Sequence, residues 1–222
     1  MTKLEVLARI EEIGIIPAVR LHSATDALFG AEAVASGGIP IVEIPLTVPG
    51  AVGVIRELAQ RRPEILVGAG TVFDLELAKQ CIDARAAFIT SPGLDLEMVE
   101  FGLKHGLAAI PGALTPTEVM TAWKAGADLV KIFPCSQVGG PSYIKALKAP
   151  FPEVPLIASG GVNQQTLPDF LLAGAAAVGI GTNLIRPEAV HRREPGWIKE
   201  LAHRYIALVN QTRGRLKAHV PA

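Results

Sequence analysis

Apolar residues in this chain gather in short runs, each followed by a polar or glycine-rich turn and then an amphipathic segment. The runs are IIPAVR (15–20), IVEIPL (41–46), ILVGAGTV (65–72), FITSP (88–92), LAAIPG (107–112), LVKIFP (129–134), LIASGG (156–161) and AVGIGT (177–182). They are nearly continuous rather than alternating, as expected of parallel strands covered on both faces. The segments between them read as helices. Thr115-Pro116-Thr117-Glu118 is a start signal, with a threonine cap, proline at the first helical position and a glutamate that reaches back. Thr2-Lys3-Leu4-Glu5 has the same spacing and predicts a helix ahead of the first strand. SGG (36–38), HGL (105–107), AGAD (125–128) and AGAA (173–176) each supply a glycine that can end a helix in the left-handed conformation.

The repeated unit is therefore strand, turn, helix and glycine, which implies a parallel sheet. Eight units in 222 residues predict one domain over 1–222, an α/β (β/α)8 TIM barrel with an extra N-terminal helix. An open doubly wound sheet is the alternative, and the lack of a GxGxxG turn after the first strand argues against it. RPEAVHRREPG (186–196) reads as a surface loop and WIKELAHRYIALVNQ (197–211) as the closing helix.

Composition narrows the function classes. Half of the residues are apolar and 19% are charged, so one large core is feasible. Lys plus Arg equals Asp plus Glu, 21 each. That balance gives no electrostatic footprint for nucleic acid or an anionic membrane, so a bound anion must be held by a few placed groups. The first residues, MTKLEVLARIEEIG, carry acids and no cleavage site, which is unlike a signal peptide. No run of about 18 uncharged apolar residues predicts a membrane span. Cys81 and Cys135 are too few for a disulfide framework, and a cytoplasmic location is expected. His22, His105, His191, His203 and His219 lack metal-ligand spacing, so no metal is expected.

In a barrel of this kind chemistry gathers at the carboxyl ends of the strands. Two charges there are unexplained by packing: Glu43 in the second run and Lys131 in the sixth. Isolating either in apolar surroundings is costly. One account is a structural ion pair, or two charges reaching out to the rim. The other is chemical. Poor solvation disfavours an ammonium ion, so a lysine in an apolar pocket can offer a neutral amine to a carbonyl, and a nearby glutamate can shuttle protons. If Lys131 points inward, so do Leu129 and Phe133, which would wall the amine.

A second signal lies in the last two runs, which end in Ser159-Gly160-Gly161 and Gly179-Ile180-Gly181-Thr182. These are the usual positions of a phosphate site in the barrel, where glycine lets backbone N–H groups approach and Ser159 and Thr182 can add hydroxyls. Tight turns are the plainer account of either motif alone. Arg20 can clamp a carboxylate or form an ordinary rim salt bridge, and Thr71 can donate to the same carboxylate or merely end a small-residue turn. Pro92 and Gly112 are read as shaping the cavity floor, His22 as solvated and Cys135 as a bystander thiol.

In order along nearly the whole chain stand VEIPL (42–46), GAGTV (68–72), TSPG (90–93), IPG with LTPTE (110–118), VKIFP (130–134), GPSYIKALKAPFP (140–152), ASGGV (158–162) and GIGTNL (179–184). This ordered set resembles the 2-dehydro-3-deoxy-6-phosphogluconate (KDPG) aldolase family. That family includes the 4-hydroxy-2-oxoglutarate (KHG) aldolases and phosphogalactonate-specific relatives. The resemblance implies a class I aldolase, a carbon–carbon lyase that cleaves KDPG to pyruvate and glyceraldehyde 3-phosphate through a Schiff base. The family's lysine falls on Lys131 and its acid–base glutamate on Glu43. Its substrate contacts fall on Thr71, Pro92 and Phe133, and its phosphate loops on Gly160, Gly161, Gly181 and Thr182. It also implies a homotrimer without metal or cofactor. Two positions depart from the pattern: Thr47 stands where an arginine is common, with Arg20 a candidate replacement, and Ser159 stands for a threonine. The first concerns binding of the carboxylate; the second faces the sugar chain and so bears on the C4 stereochemistry that distinguishes gluconate from galactonate. Outside this family, a barrel lysine with a phosphate cradle would also suit a pyridoxal-phosphate enzyme. The missing histidine cluster counts against a metal-dependent phosphosugar barrel, and a non-catalytic phosphosugar-binding barrel would keep SGG and GIGT but need neither Lys131 nor Glu43.

Overall fold

A computed structural model describes residues 1–218; His219 lies outside the described residues. The apolar runs become parallel strands: β1 (Ile15–Pro17), β2 (Ile41–Pro45), β3 (Leu66–Gly70), β4 (Phe88–Thr90), β5 (Ala108–Ile110), β6 (Gly112–Ala113), β7 (Val130–Ile132), β8 (Leu156–Ser159) and β9 (Ala177–Ile180). The fifth run forms two pieces because Pro111, lacking an N–H, cannot donate to the ladder. Its carbonyl still accepts from Lys131 N at 2.9 Å. The ladders run β1-β9-β8-β7-β6 and β2-β3-β4-β5. An Ala18–Glu43 bridge and the bond from Val19 N to Glu43 O (2.9 Å) join β1 to β2. The other seam is the unbroken chain from β5 into β6, so the sheet closes on itself. This is the (β/α)8 barrel the periodicity predicts.

Helices cover the strands: α1 (Lys3–Ile13), α2 (Ala24–Ser36), α3 (Ala51–Arg61), α4 (Leu75–Asp83), α5 (Leu96–Lys104), α6 (Pro116–Lys124), α7 (Pro141–Lys148), α8 (Leu167–Leu172), α9 (Pro187–His191) and α10 (Pro195–Ala218). Both predicted capping boxes form, at Thr2 with Glu5 and at Thr115 with Glu118. Gly38, Gly106, Gly126 and Gly174 all take positive φ just past a helix end, as the stop signals require. α1 buries Val6, Ile10 and Ile13 against β1, β5 and β9. Its Lys3 pairs with Asp128 at 2.9 Å. It therefore covers the amino end of the barrel and leaves the carboxyl end for chemistry.

Two expectations at the C-terminal side need correction. The stretch 186–196 is not wholly loop, because Pro187 at the first helical position and Glu188 in the first turn start the short helix α9. The closing helix starts at Pro195 and runs to Ala218, with Ile198, Ala202, Tyr205 and Val209 buried along one face.

Inside the barrel, side-chain size is matched strand to strand. A Cβ on Gly68 would lie 2.2 Å from the Phe88 ring, so the glycine is the space that ring occupies. Burying such a ring stabilises the fold by about 2–3 kcal/mol.

Candidate active site

The next layer of the interior is polar. Glu43 in the middle of β2, Thr90 at the end of β4 and Lys131 in the middle of β7 converge, although 41 to 88 residues separate them in sequence. Lys131 Nζ lies 3.3 Å from Glu43 Oε2 and 3.4 Å from Thr90 Oγ1, and Thr90 Oγ1 donates to Glu43 Oε2 at 2.8 Å. Glu43 is 4% exposed and Thr90 1%, whereas the Lys131 side chain keeps 12% of its surface open. The amine is thus shielded yet reachable. Gly70 makes room for the carboxylate: a Cβ there would sit 2.3 Å from Glu43 Oε1. The glycines of GAGT therefore clear space inside the barrel; neither Gly68 nor Gly70 has the positive φ of a turn glycine.

A buried ion pair is weak evidence for stability, since an apolar replacement of similar volume is often neutral or stabilising by about 1–4 kcal/mol. The purely structural account of Glu43 and Lys131 therefore explains little. The chemical account needs a carboxylate beside an amine at one partly open point, and β2 and β7 supply them.

Most of the other residues singled out in the sequence lie at the carboxyl ends of their strands. Phe133 is half-buried with its ring centroid 5.8 Å from Lys131 Nζ, and Leu129 is buried. Thr71, just past β3, has φ +58°, a strained conformation for a β-branched residue. Its neighbour Val72 N is tied to Thr90 O at 3.0 Å. Pro92 is exposed, so it belongs to the rim rather than the floor. Its turn rests on Gly112, where a Cβ would meet the Pro92 carbonyl at 2.4 Å. Ser91, 1% exposed, holds this turn by donating to Gly93 O at 2.6 Å. Arg20, His22 and Thr47 are exposed near the ends of β1 and β2.

Ser159 ends β8 opposite Gly179, which leaves room for its hydroxyl; a Cβ on Gly179 would come 2.8 Å from Ser159 Oγ. Gly160 and Gly161 follow with φ of +93° and +79°, conformations glycine adopts without strain. Gly181 and the exposed Thr182 follow β9. The loop carbonyls are turned to local donors: Gly160 O accepts from Ser136 N, Gly161 O from Thr166 Oγ1, and Gly181 O from Leu184 and Ile185 N. Asn183 Nδ2 donates to Val162 O at 2.9 Å and so ties the two loops together.

Thr90 is the residue that sequence reasoning missed, although TSPG was noted. Threonine is a strong strand former, so nothing distinguished it from packing. Cys135 is buried in the turn after β7, and burial pushes its thiol up to about 11, as befits a bystander. Among the described residues, no three His, Cys, Asp or Glu side chains gather as metal ligands. Among the same residues no helix is long and apolar enough to cross a membrane.

Comparison with known proteins bears on this arrangement. The family model for KDPG and KHG aldolases matches residues 6–201. The 2-dehydro-3-deoxy-phosphogluconate aldolase of Pseudomonas aeruginosa is 33% identical over 188 residues, covering 85% of this chain and 84% of that protein. The 2-dehydro-3-deoxy-6-phosphogalactonate aldolase of Escherichia coli is 36% identical over 194 residues, covering 83% and 86%. A crystal structure of KDPG aldolase from Legionella pneumophila, with pyruvate captured at low pH as a covalent carbinolamine, superposes with a TM-score of 0.83. It is 32% identical, and the match covers 89% of this chain and 96% of that one. The chain is an aldolase-type lyase and belongs to the KDPG and KHG aldolase family.

Proposed function

We propose that this protein is a class I aldolase that cleaves KDPG to pyruvate and glyceraldehyde 3-phosphate, with Lys131 as the Schiff-base residue and KHG as a further substrate. The observation that carries this reading is the amine of Lys131, partly open and 3.3 Å from a buried carboxylate. Pyruvate bound covalently as a carbinolamine in the Legionella relative supports it.

The amine attacks the C2 ketone, and loss of water gives a cationic iminium. That cation draws electrons from the C3–C4 bond as it breaks, leaving a neutral enamine instead of a free carbanion. Glu43, directly or through a water, takes the C4 hydroxyl proton and later helps return a proton to the enamine. Glyceraldehyde 3-phosphate leaves first, and hydrolysis then frees pyruvate. Phe133 walls the amine, Thr71 and Arg20 take the carboxylate, and Pro92 bounds the rim. Ser159, Gly160, Gly161, Gly181 and Thr182 hold the phosphate. The trimeric assembly implied by the resemblance and the cytoplasmic location expected from the cysteine content belong to the same proposal, as does the absence of metal or cofactor.

A second reading is cleavage of the galactonate-derived C4 epimer. It is favoured by the 36% identity to the phosphogalactonate aldolase, and Ser159 in place of the usual threonine leaves the C4 preference open. Initial rates of pyruvate release from the two C4 epimers and from KHG test both. Faster cleavage of the gluconate epimer is expected. Preference for the galactonate epimer would select the second reading, and no pyruvate from any of the three would refute both.

A further inference from the structure

Thr90 occupies a place that an amine and a carboxylate alone do not require. Its Oγ1 donates to Glu43 Oε2 at 2.8 Å and lies 3.4 Å from Lys131 Nζ, which donates to it. A hydroxyl has one proton, and here it is committed to the carboxylate. The direct contact between Nζ and Oε2 is 3.3 Å, long for a charge-assisted bond, which runs to about 2.7–2.9 Å. The shortest bond to Oε2 is therefore the one from Thr90, whose oxygen also lies within reach of the amine. A valine would serve the strand equally well and spare the burial of a hydroxyl that is 1% exposed.

We propose that Thr90 is a positioning residue for the Lys131–Glu43 pair, holding Oε2 toward the amine and offering a second path for the proton between them. The inference rests on the Schiff-base reading above. Along this path one N–H proton of the Lys131 ammonium passes to Thr90 Oγ1 while the hydroxyl proton of Thr90 passes to Glu43 Oε2. One N–H and one O–H bond break, and one O–H bond forms at each oxygen. The products are a neutral amine and a carboxylic acid, with no change of oxidation state. The reverse shift returns the proton when the carbinolamine loses water. Glu43 and Lys131 are the charged groups in contact with the hydroxyl, and Gly70 holds the far side of the carboxylate in place.

The test compares Thr90→Val and Thr90→Ser with the wild-type enzyme, measuring kcat and KM for the preferred C4 epimer, pyruvate trapping by borohydride, and thermal unfolding. Valine should leave the fold intact and lower kcat by about 10- to 100-fold, part of the ~10²–10⁴-fold that a placed acid–base group supplies, with KM little changed. Serine, which keeps the hydroxyl and loses the methyl, should recover most of the loss. Wild-type kcat in Thr90→Val would overturn the proposal while leaving the Schiff-base reading standing. So would a serine variant as impaired as valine, since that result assigns Thr90 to packing. If the wild-type enzyme traps no pyruvate on Lys131, the underlying reading fails and this inference fails with it.

Discussion

Gly70→Ala is the smallest change that should separate the geometry of the site from the stability of the barrel. The added methyl would lie 2.3 Å from Glu43 Oε1 and 2.4 Å from both Cδ and Cγ, against 3.4 Å or more for ordinary contact. The carboxylate must retreat by about 1 Å. It cannot do so without loosening the 2.8 Å bond from Thr90 and the 3.3 Å contact with Lys131. Overpacking of this kind costs about 1–3 kcal/mol, which in a chain of this size lowers Tm by roughly 2–12 °C. A displacement of about 1 Å at a reacting group costs on the order of 10²-fold in rate. Gly68→Ala is the matched control on the same strand, because its methyl would strike the Phe88 ring at 2.2 Å and leave Glu43 alone. The assay is pyruvate release, coupled to a dehydrogenase, beside thermal unfolding of both variants. Gly70→Ala should lose turnover far beyond its loss of stability, and Gly68→Ala should not. Wild-type kcat in Gly70→Ala, or equal losses in both variants, would refute the argument.

Further outcomes follow from the same coordinates. Gly161→Ala places a methyl 2.3 Å from Ser136 Cβ at a residue with φ +79°, so KM for phosphorylated substrate should rise by about tenfold or more. Trapping of pyruvate, which has no phosphate, should be unchanged; an equal loss of both would point to general damage instead. Burial pushes the thiols of Cys81 and Cys135 up to about 11 from 9.0. Above about pH 9 the unfolded chain releases protons that the folded chain retains, so stability present below pH 9 is lost as pH rises toward 11. Tm should fall over that range, and the Cys81→Ala/Cys135→Ala double variant should show a shallower fall; an unchanged slope would contradict the assignment.

Much of the barrel was legible because eight two-faced strands need continuous apolar runs and their helices need caps, and both leave local marks. The capping boxes at Thr2 and Thr115 and the stop glycines formed as expected. What was not legible depended on single backbone groups or on partners distant in sequence. Pro111 interrupts a run that composition alone reads as one strand, and α9 is too short for periodicity to reveal. Glu43 and Lys131 stood out because charge in an apolar strand is costly. Thr90 did not, because threonine is uncharged and common in strands. Its role is visible only once β2, β4 and β7 meet. The glycines of GAGT were similarly ambiguous: the space they leave has meaning only beside Phe88 and Glu43.

The most direct test of the central claim is covalent. The protein is incubated with pyruvate, reduced with borohydride, digested and mapped by mass spectrometry, with Lys131→Arg treated in parallel. The account predicts a reduced pyruvate adduct on the Lys131 peptide of the wild-type protein and none on any peptide of the variant. Cleavage activity without an adduct, or an adduct on another lysine that survives in Lys131→Arg, would contradict it.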